Sequence, residues 1–272
     1  MSTGLSVLEK ENKKKSVFSK NNNSKVILFS SVKGGNGASF ISNCVSSYLA
    51  KTKIQNILLL DLNIGKRDSR IIFDLEEKDL RDIGDIEDSI KEIDTSLLKR
   101  LVVNFDNSLN LILPPLKPEK NKICCGKNLS LLLGILKHYY EIICVDFPYY
   151  LFMKNDFDFT ENVDKFVFVS MPDLISVSNL EIFSRHICVD DIPNNIKIII
   201  NKFNTRPAVS PARLNSILKY PVQAFIPYDR DIEFLYHSKG PFYIFNYNLR
   251  IVKNIIDFSE LLYEELDFEK KQ

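Results

Sequence analysis

The stretch Ser31-Val32-Lys33-Gly34-Gly35-Asn36-Gly37-Ala38-Ser39 decides how the rest of the chain reads. It follows the apolar run Val26-Ile27-Leu28-Phe29, short enough for a buried strand. It precedes Phe40-Ile41-Ser42-Asn43-Cys44-Val45, which opens a helix. A strand, a glycine-rich loop and a helix start, in that order, form a cradle for an anion. The glycines let successive N–H groups turn toward one phosphate, and the helix N-terminus adds partial positive charge. Three of the nine glycines of the chain fall within four positions here, which chance explains less easily than a lone pair. Against the template G-x-x-x-x-G-K-[ST], Gly37 and Ser39 match, Val32 replaces the first glycine and Ala38 replaces the phosphate-binding lysine. Another lysine, Lys33, stands directly before Gly34-Gly35. The backbone amides of residues 34–39 are therefore expected to hold the phosphates, and catalysis that depends on the missing lysine is expected to be slow.

Working outward, apolar runs alternate with helical patterns. Strands are predicted at 26–31, 56–61, 109–113, 141–146, 165–171, 196–201 and 222–226. Runs such as Ile57-Leu58-Leu59-Leu60 and Ile198-Ile199-Ile200 suit strands buried on both faces. Helices are predicted at 38–51, 86–101, 127–139, 174–187, 209–219, 231–238 and 248–266. The alternation implies an α/β fold, a doubly wound, mostly parallel sheet with helices on both faces. Ligands in such sheets bind at the carboxyl ends of the strands, where the glycine loop already sits.

A bound nucleotide brings Mg²⁺, which takes oxygen ligands. Ser39 offers a hydroxyl in the loop. Asp61 ends the run Ile57–Leu60, and Asp146 ends Ile142-Ile143-Cys144-Val145. Strand ends of one sheet share a rim, so Ser39, Asp61 and Asp146 are the predicted metal ligands.

The loop K-G-G-x-G with its early lysine resembles the deviant Walker A loop of the MinD/ParA family of ATPases, and the resemblance continues in order along residues 25–245. Asp61-Leu62-Asn63-Ile64-Gly65 is similar to the family's switch I segment D-x-D-x-G, and Asp146-Phe147-Pro148 to its switch II. Ser170-Met171-Pro172-Asp173, the strand-end Asn201, Ile226-Pro227-Tyr228-Asp229 and Gly240-Pro241-Phe242 match later family segments. The Gly-Ala-Ser ending of the loop, the Ile-Pro-Tyr-Asp segment and the stretch Thr95–Pro115 look most similar to the CpaE/TadZ branch of pilus-localisation factors, with FlhG-type flagellar regulators as near cousins. The resemblance implies ATP or ADP with Mg²⁺ as cofactors. Lys33, Gly34, Gly35, Asn36, Gly37, Ala38 and Ser39 would hold the phosphates, and Asn201, Pro227 and Asp229 would border the base. Lys33, Asp61 and Asn63 fall at catalytic positions. Asn63 stands where the family usually has a water-orienting aspartate, and an amide cannot act as a base. The resemblance further implies a homodimer when ATP is bound, with Lys33 reaching the partner's phosphates in trans, and a protein partner at a polar organelle. Three readings stay open: a positioning protein with slow or absent hydrolysis, an active partition or division-site ATPase, and a scaffold that binds no nucleotide.

The bulk composition agrees with one large domain. The chain has 272 residues, 45% of them hydrophobic and 26% charged, and a net charge of +1, which gives no global pull toward nucleic acid or membrane. Residues 25–272 read as one nucleotide-binding domain. Residues 1–24, with Lys13-Lys14-Lys15 and Asn21-Asn22-Asn23, read as a disordered basic tail. Five cysteines without C-x-x-C spacing read as structural, in a reducing, cytoplasmic setting, with any place at the cell pole or inner membrane face owed to a partner. His138, His186 and His237 have no nucleophile at a telling spacing. Lys51, Lys53, Lys66, Arg67 and Arg70 are too scattered for a specific nucleic-acid surface and read as a solvated face. No run approaches the ~20 apolar residues of a membrane span. The last helix has an apolar face but is acidic, through Asp257, Glu260, Glu264, Glu265, Asp267 and Glu269, so it is expected to pack on the domain, and any membrane association is at most peripheral. Lys66, Arg67 and Asp68, with Tyr149, Tyr150 and Phe152, form the predicted partner-binding rim, with core filling as the alternative for the aromatics.

Overall fold

The computed structural model describes residues 23–53, 55–75, 80–93, 95–154, 157–187, 195–203 and 209–266. Residues 1–22 of the predicted tail, and Cys188, lie outside them. Eight strands form one sheet: β1 (Lys25–Ser31), β2 (Ile57–Asp61), β3 (Val102–Asn104), β4 (Leu109–Ile112), β5 (Ile142–Asp146), β6 (Lys165–Ser170), β7 (Ile196–Asn201) and β8 (Val222–Ile226). The helices are α1 (Ala38–Lys53), α2 (Asp68–Ile72), α3 (Thr95–Leu101), α4 (Gly126–Leu136), α5 (Leu174–Ile187), α6 (Pro211–Ile217), α7 (Arg230–Lys239) and α8 (Arg250–Glu264). The strand order is β3-β4-β2-β5-β1-β6-β7-β8, and every pairing is parallel except β3 with β4.

Alternation of side chains along each strand explains the continuous apolar runs. Val26, Leu28, Leu58, Leu60, Ile143 and Val145 face one layer, where they meet Leu129 and Leu133 of α4, Leu180 of α5 and Leu214 of α6. Ile27, Phe29, Ile57, Leu59, Ile142 and Cys144 face the other, against Ile41, Val45 and Leu49 of α1, Ile232 of α7 and Ile255 and Leu262 of α8. Both faces of the central strands are thus dry, and β1 delivers its loop at the middle of the sheet between β5 and β6.

All seven predicted strands form. The predicted helix 86–101 does not form as one element. Residues Ile83–Glu92 make a 3-10 turn, Ile93 is extended, and α3 starts at Thr95. Ile83 and Ile86 are both buried, a spacing of three that suits three residues per turn. Strand β3, which follows directly on α3, was not predicted. It pairs antiparallel with β4 through a short hairpin in which Phe105 and Asp106 N–H groups donate to the Leu109 carbonyl, both at 3.1 Å. The expected packing of the last helix is observed: α8 buries Ile251, Val252, Ile255, Phe258 and Leu262 against the sheet layer that holds α1.

Candidate functional site

The loop between β1 and α1 opens into a cavity of about 630 Å³ at the carboxyl edge of the sheet. The first helical hydrogen bond runs from Ile41 N–H to the Gly37 carbonyl at 3.0 Å, so the N–H groups before it have no acceptor within the helix. Gly35 and Gly37 adopt φ of 86° and 94°, which side-chain-bearing residues rarely reach. Nothing lies within 4 Å of a Cβ placed on Gly34 or Gly35, so the outer face of the loop is an open cradle.

The back of the loop is braced. Asn36 is buried, with its Nδ2 donating to the Val169 carbonyl at 3.4 Å and its Oδ1 accepting from Ser176 Oγ at 3.2 Å. The Asn36 carbonyl accepts from Asn201 Nδ2 at 3.0 Å, while Asn201 Oδ1 accepts from Lys202 N–H at 2.9 Å. A Cβ on Gly37 would overlap that Asn201 amide. Asn36 and Asn201 therefore hold the cradle in shape, a role that no local pattern marks because Val169 and Ser176 are 133 and 140 residues away from Asn36.

Lys33 stands apart. It is not on the cavity wall, and its ammonium lies 3.8 Å from Asp173 Oδ1 at the start of α5. Partial burial alone would raise the Asp173 carboxyl. Hydrogen bonds from Ser176 Oγ and N–H, together with the Lys33 charge, hold it below its usual range. Lys33 is thus paired with Asp173 and does not line the cavity.

At the ends of β2 and β5, Asp61 and Asp146 are direct register neighbours, 2% and 3% exposed. Asn63 Nδ2 donates to both, at 2.8 Å to Asp61 Oδ1 and 2.8 Å to Asp146 Oδ2, and Asn63 N–H donates to Asp61 Oδ1 at 2.8 Å. Ser69 Oγ donates to Asp61 Oδ2, and the Ser39 hydroxyl bonds the Asp146 carboxyl. Burial pushes the Asp61 carboxyl up. Burial and the Asp61 charge push Asp146 up to about 8, against the pull of Ser39, Asn63 and Lys66. Two buried, adjacent carboxylates in this state attract a cation. No group of three or more His, Cys, Asp or Glu side chains is placed to hold a metal among the described residues. Two carboxylates and a hydroxyl, completed by waters and phosphate oxygens, is the donor set that suits Mg²⁺. The residues present therefore fit a Mg²⁺-nucleotide.

The opposite wall carries Asn201, Lys202, Pro227, Tyr228 and Asp229. Asp229 Oδ1 caps α7 by accepting from the N–H groups of Asp231 and Ile232, each at 3.0 Å. Lys202 Nζ lies 3.3 Å from Glu233 Oε1 and 5.2 Å from the centre of the Tyr228 ring. Of the residues predicted from sequence, the cavity brings together Gly34, Gly35, Gly37, Ala38, Ser39, Asp61, Asn63, Asp146, Asn201, Pro227 and Asp229. It leaves Lys33 and the Asn36 side chain out. Ser69 was missed, since nothing in its sequence neighbourhood marks it.

Two expectations are corrected. Phe152 is buried, with ring centres 4.6 Å from Phe147 and 5.1 Å from Phe183, so it fills the core. Only Tyr149 and Tyr150 of that trio line the cavity mouth. Arg70 is 8% exposed on the inner face of α2 and is no part of a solvated basic face. Lys66, Arg67 and Asp68 are exposed as expected.

No known family model matches the sequence, and no curated protein matches it. Solved structures do match its shape. A ParA family ATPase from Chlorobium tepidum TLS superposes with a TM-score of 0.76 at 23% identity, covering 87% of this chain and 99% of that one. MinD in the MinC:MinD cell division complex of Aquifex aeolicus gives 0.70 at 23%, covering 89% and 96%. The septum site-determining protein MinD of Pyrococcus horikoshii OT3, complexed with Mg-ADP, gives 0.71 at 16%, covering 92% and 100%. The chain has the doubly wound P-loop fold of the MinD and ParA ATPases.

Proposed function

We propose that the chain is a MinD/ParA-type protein that binds ATP with Mg²⁺, hydrolyses it slowly, and uses the nucleotide-bound state to position a cellular assembly, a pilus or a flagellum. The observation that carries this reading is the meeting, in one cavity, of an open glycine cradle with two buried carboxylates and a serine hydroxyl. The Mg-ADP bound to the similarly folded MinD of Pyrococcus horikoshii OT3 supports the choice of ligand. Slow hydrolysis follows from two side chains. Ala38 brings no charge to the phosphates, and Asn63 is tied by its amide to both carboxylates, where it cannot take a proton from water. A protein of this kind marks a place rather than cycling quickly, because nucleotide-stabilised dimerisation creates a surface that the monomer lacks. The pairing of Lys33 with Asp173, outside the cavity, supports a role for this lysine toward a second copy rather than toward its own site. MinD in complex with MinC offers a precedent of fold for partner capture. The resemblance of the loop ending and of Ile226–Asp229 to CpaE/TadZ proteins favours the pilus, with the flagellum as the second candidate.

A fluorescent fusion imaged in cells tests the reading. Discrete foci that become diffuse in Asp146→Ala, with loss of piliation or motility in a deletion strain, are expected. A diffuse wild-type signal with normal piliation and motility contradicts the positioning role.

A further inference from the structure

We infer that Lys66, on the turn after β2, supplies in cis the side-chain cation at the terminal phosphates that Ala38 withholds from the loop. The inference rests on the nucleotide reading above. Its starting point is an imbalance. The cavity holds Asp61 and Asp146, yet the loop brings only backbone dipoles to a ligand carrying several negative charges. Among the described residues, the cavity wall has two lysines, Lys66 and Lys202. Lys202 is committed on the far wall, 3.3 Å from Glu233 and stacked over Tyr228, on the side of Pro227 and Asp229. Lys33 is off the wall, on Asp173. Lys66 is the remaining cation. It forms no ion pair among the described residues, and its side chain is exposed at the mouth.

Its position is fixed while its charge is left available. Lys66 N–H donates to the Asn63 carbonyl at 3.2 Å, and Gly65 N–H to the Pro115 carbonyl at 2.8 Å, with Gly65 at φ 73°. These bonds hold the turn beside the two carboxylates, since the same Asn63 that accepts from Lys66 N–H donates its side-chain amide to both Asp61 and Asp146. The carboxylate end of the cavity is where a metal and the last phosphates sit if Ser39, Asp61 and Asp146 take Mg²⁺. A cation there distinguishes a triphosphate from a diphosphate, because only the triphosphate extends to it. The turn also leads directly into α2, whose Ser69 is hydrogen-bonded to Asp61. Capture of the terminal phosphate by Lys66 would therefore tighten this segment over the ligand.

The test is titration of the full-length chain with ATP and with ADP, in Mg²⁺, for wild type, Lys66→Gln and Lys66→Arg. Loss of a charge-assisted contact predicts roughly tenfold to hundredfold weaker ATP binding in Lys66→Gln. ADP affinity should change by less than about threefold, on the same footing that only the terminal phosphate is reached. Lys66→Arg, which keeps the charge, should recover most of the ATP affinity. The loss should be the same at low and high protein concentration, as a cation acting within one chain requires. ATP binding indifferent to Lys66→Gln, equal loss of ATP and ADP, or a loss seen only at high protein concentration overturns the inference and leaves the nucleotide reading intact. A wild type that binds neither nucleotide overturns both.

Discussion

Asn63 shows how much one amide can hold. Its Nδ2 serves Asp61 and Asp146 at once, both buried, so removing it would leave two carboxylates facing each other without a shared donor. Asn63→Asp restores the residue that the family resemblance leads one to expect, but here it adds a third carboxylate to a dry pair. Unpaired buried charge of this kind typically costs about 3 kcal/mol. Urea unfolding of the unliganded variant should show a loss of that order, partly recovered by millimolar Mg²⁺. Unchanged stability without Mg²⁺ would mean that water reaches the carboxylate pair. Asp61 and Asp146 were legible in the sequence because each ends an apolar run, and strand ends of one sheet converge. Ser69 and the bracing amides of Asn36 and Asn201 were not. Their partners are set by tertiary approach, and no local period announces it. Phe152 and Arg70 misled for the converse reason, since an aromatic and a cation near a rim read as surface until the inner faces of their segments are known.

At the scale of elements, the parallel strands were readable because burial on both faces forces continuous Ile, Leu and Val. Short pieces escaped: β3 is three residues long and β-pairs only through its hairpin with β4. Helix α8 was readable from its apolar seam, and its acidity now has a structural use. Glu265, at its end, accepts from Lys197 Nζ at 2.7 Å and Lys165 Nζ at 3.2 Å, which ties the helix to the starts of β6 and β7. Burial alone would raise the Glu265 carboxyl. The hydrogen bonds and charges of the two lysines hold it below its usual range instead. A carboxyl lowered by folding contributes stability above its unfolded-state value near 4.5, and that contribution disappears as pH falls through the lower folded value. Glu265→Gln should therefore cost about 0.5–1 kcal/mol at pH 7, the range for a partly exposed pair, and the difference from wild type should vanish in acid. Thermal melts at pH 7 and pH 3 measure it. An equal deficit at both pH values would assign the effect to packing rather than to charge.

For the whole molecule, the winding of the chain brings the site residues together. The path moves to one side of β1 to form β2, β3 and β4, returns to place β5 beside β1, and then crosses to β6, β7 and β8. The loop of β1, the aspartates of β2 and β5, and Asn201 of β7 consequently open on one rim, although they span residues 33 to 201 of the sequence. No helix among the described residues is long and apolar enough to cross a membrane. We propose that this rim binds a nucleotide with its metal, although Ala38 stands at the loop position where the template has a lysine. Equilibrium titration of the full-length chain with ATP, with and without Mg²⁺, tests it most directly. Saturable binding that tightens at least about tenfold when Mg²⁺ is present is the predicted result, since the metal relieves the Asp61–Asp146 pair as it joins the phosphates. Absence of saturable ATP binding at millimolar nucleotide in the presence of Mg²⁺ would contradict it.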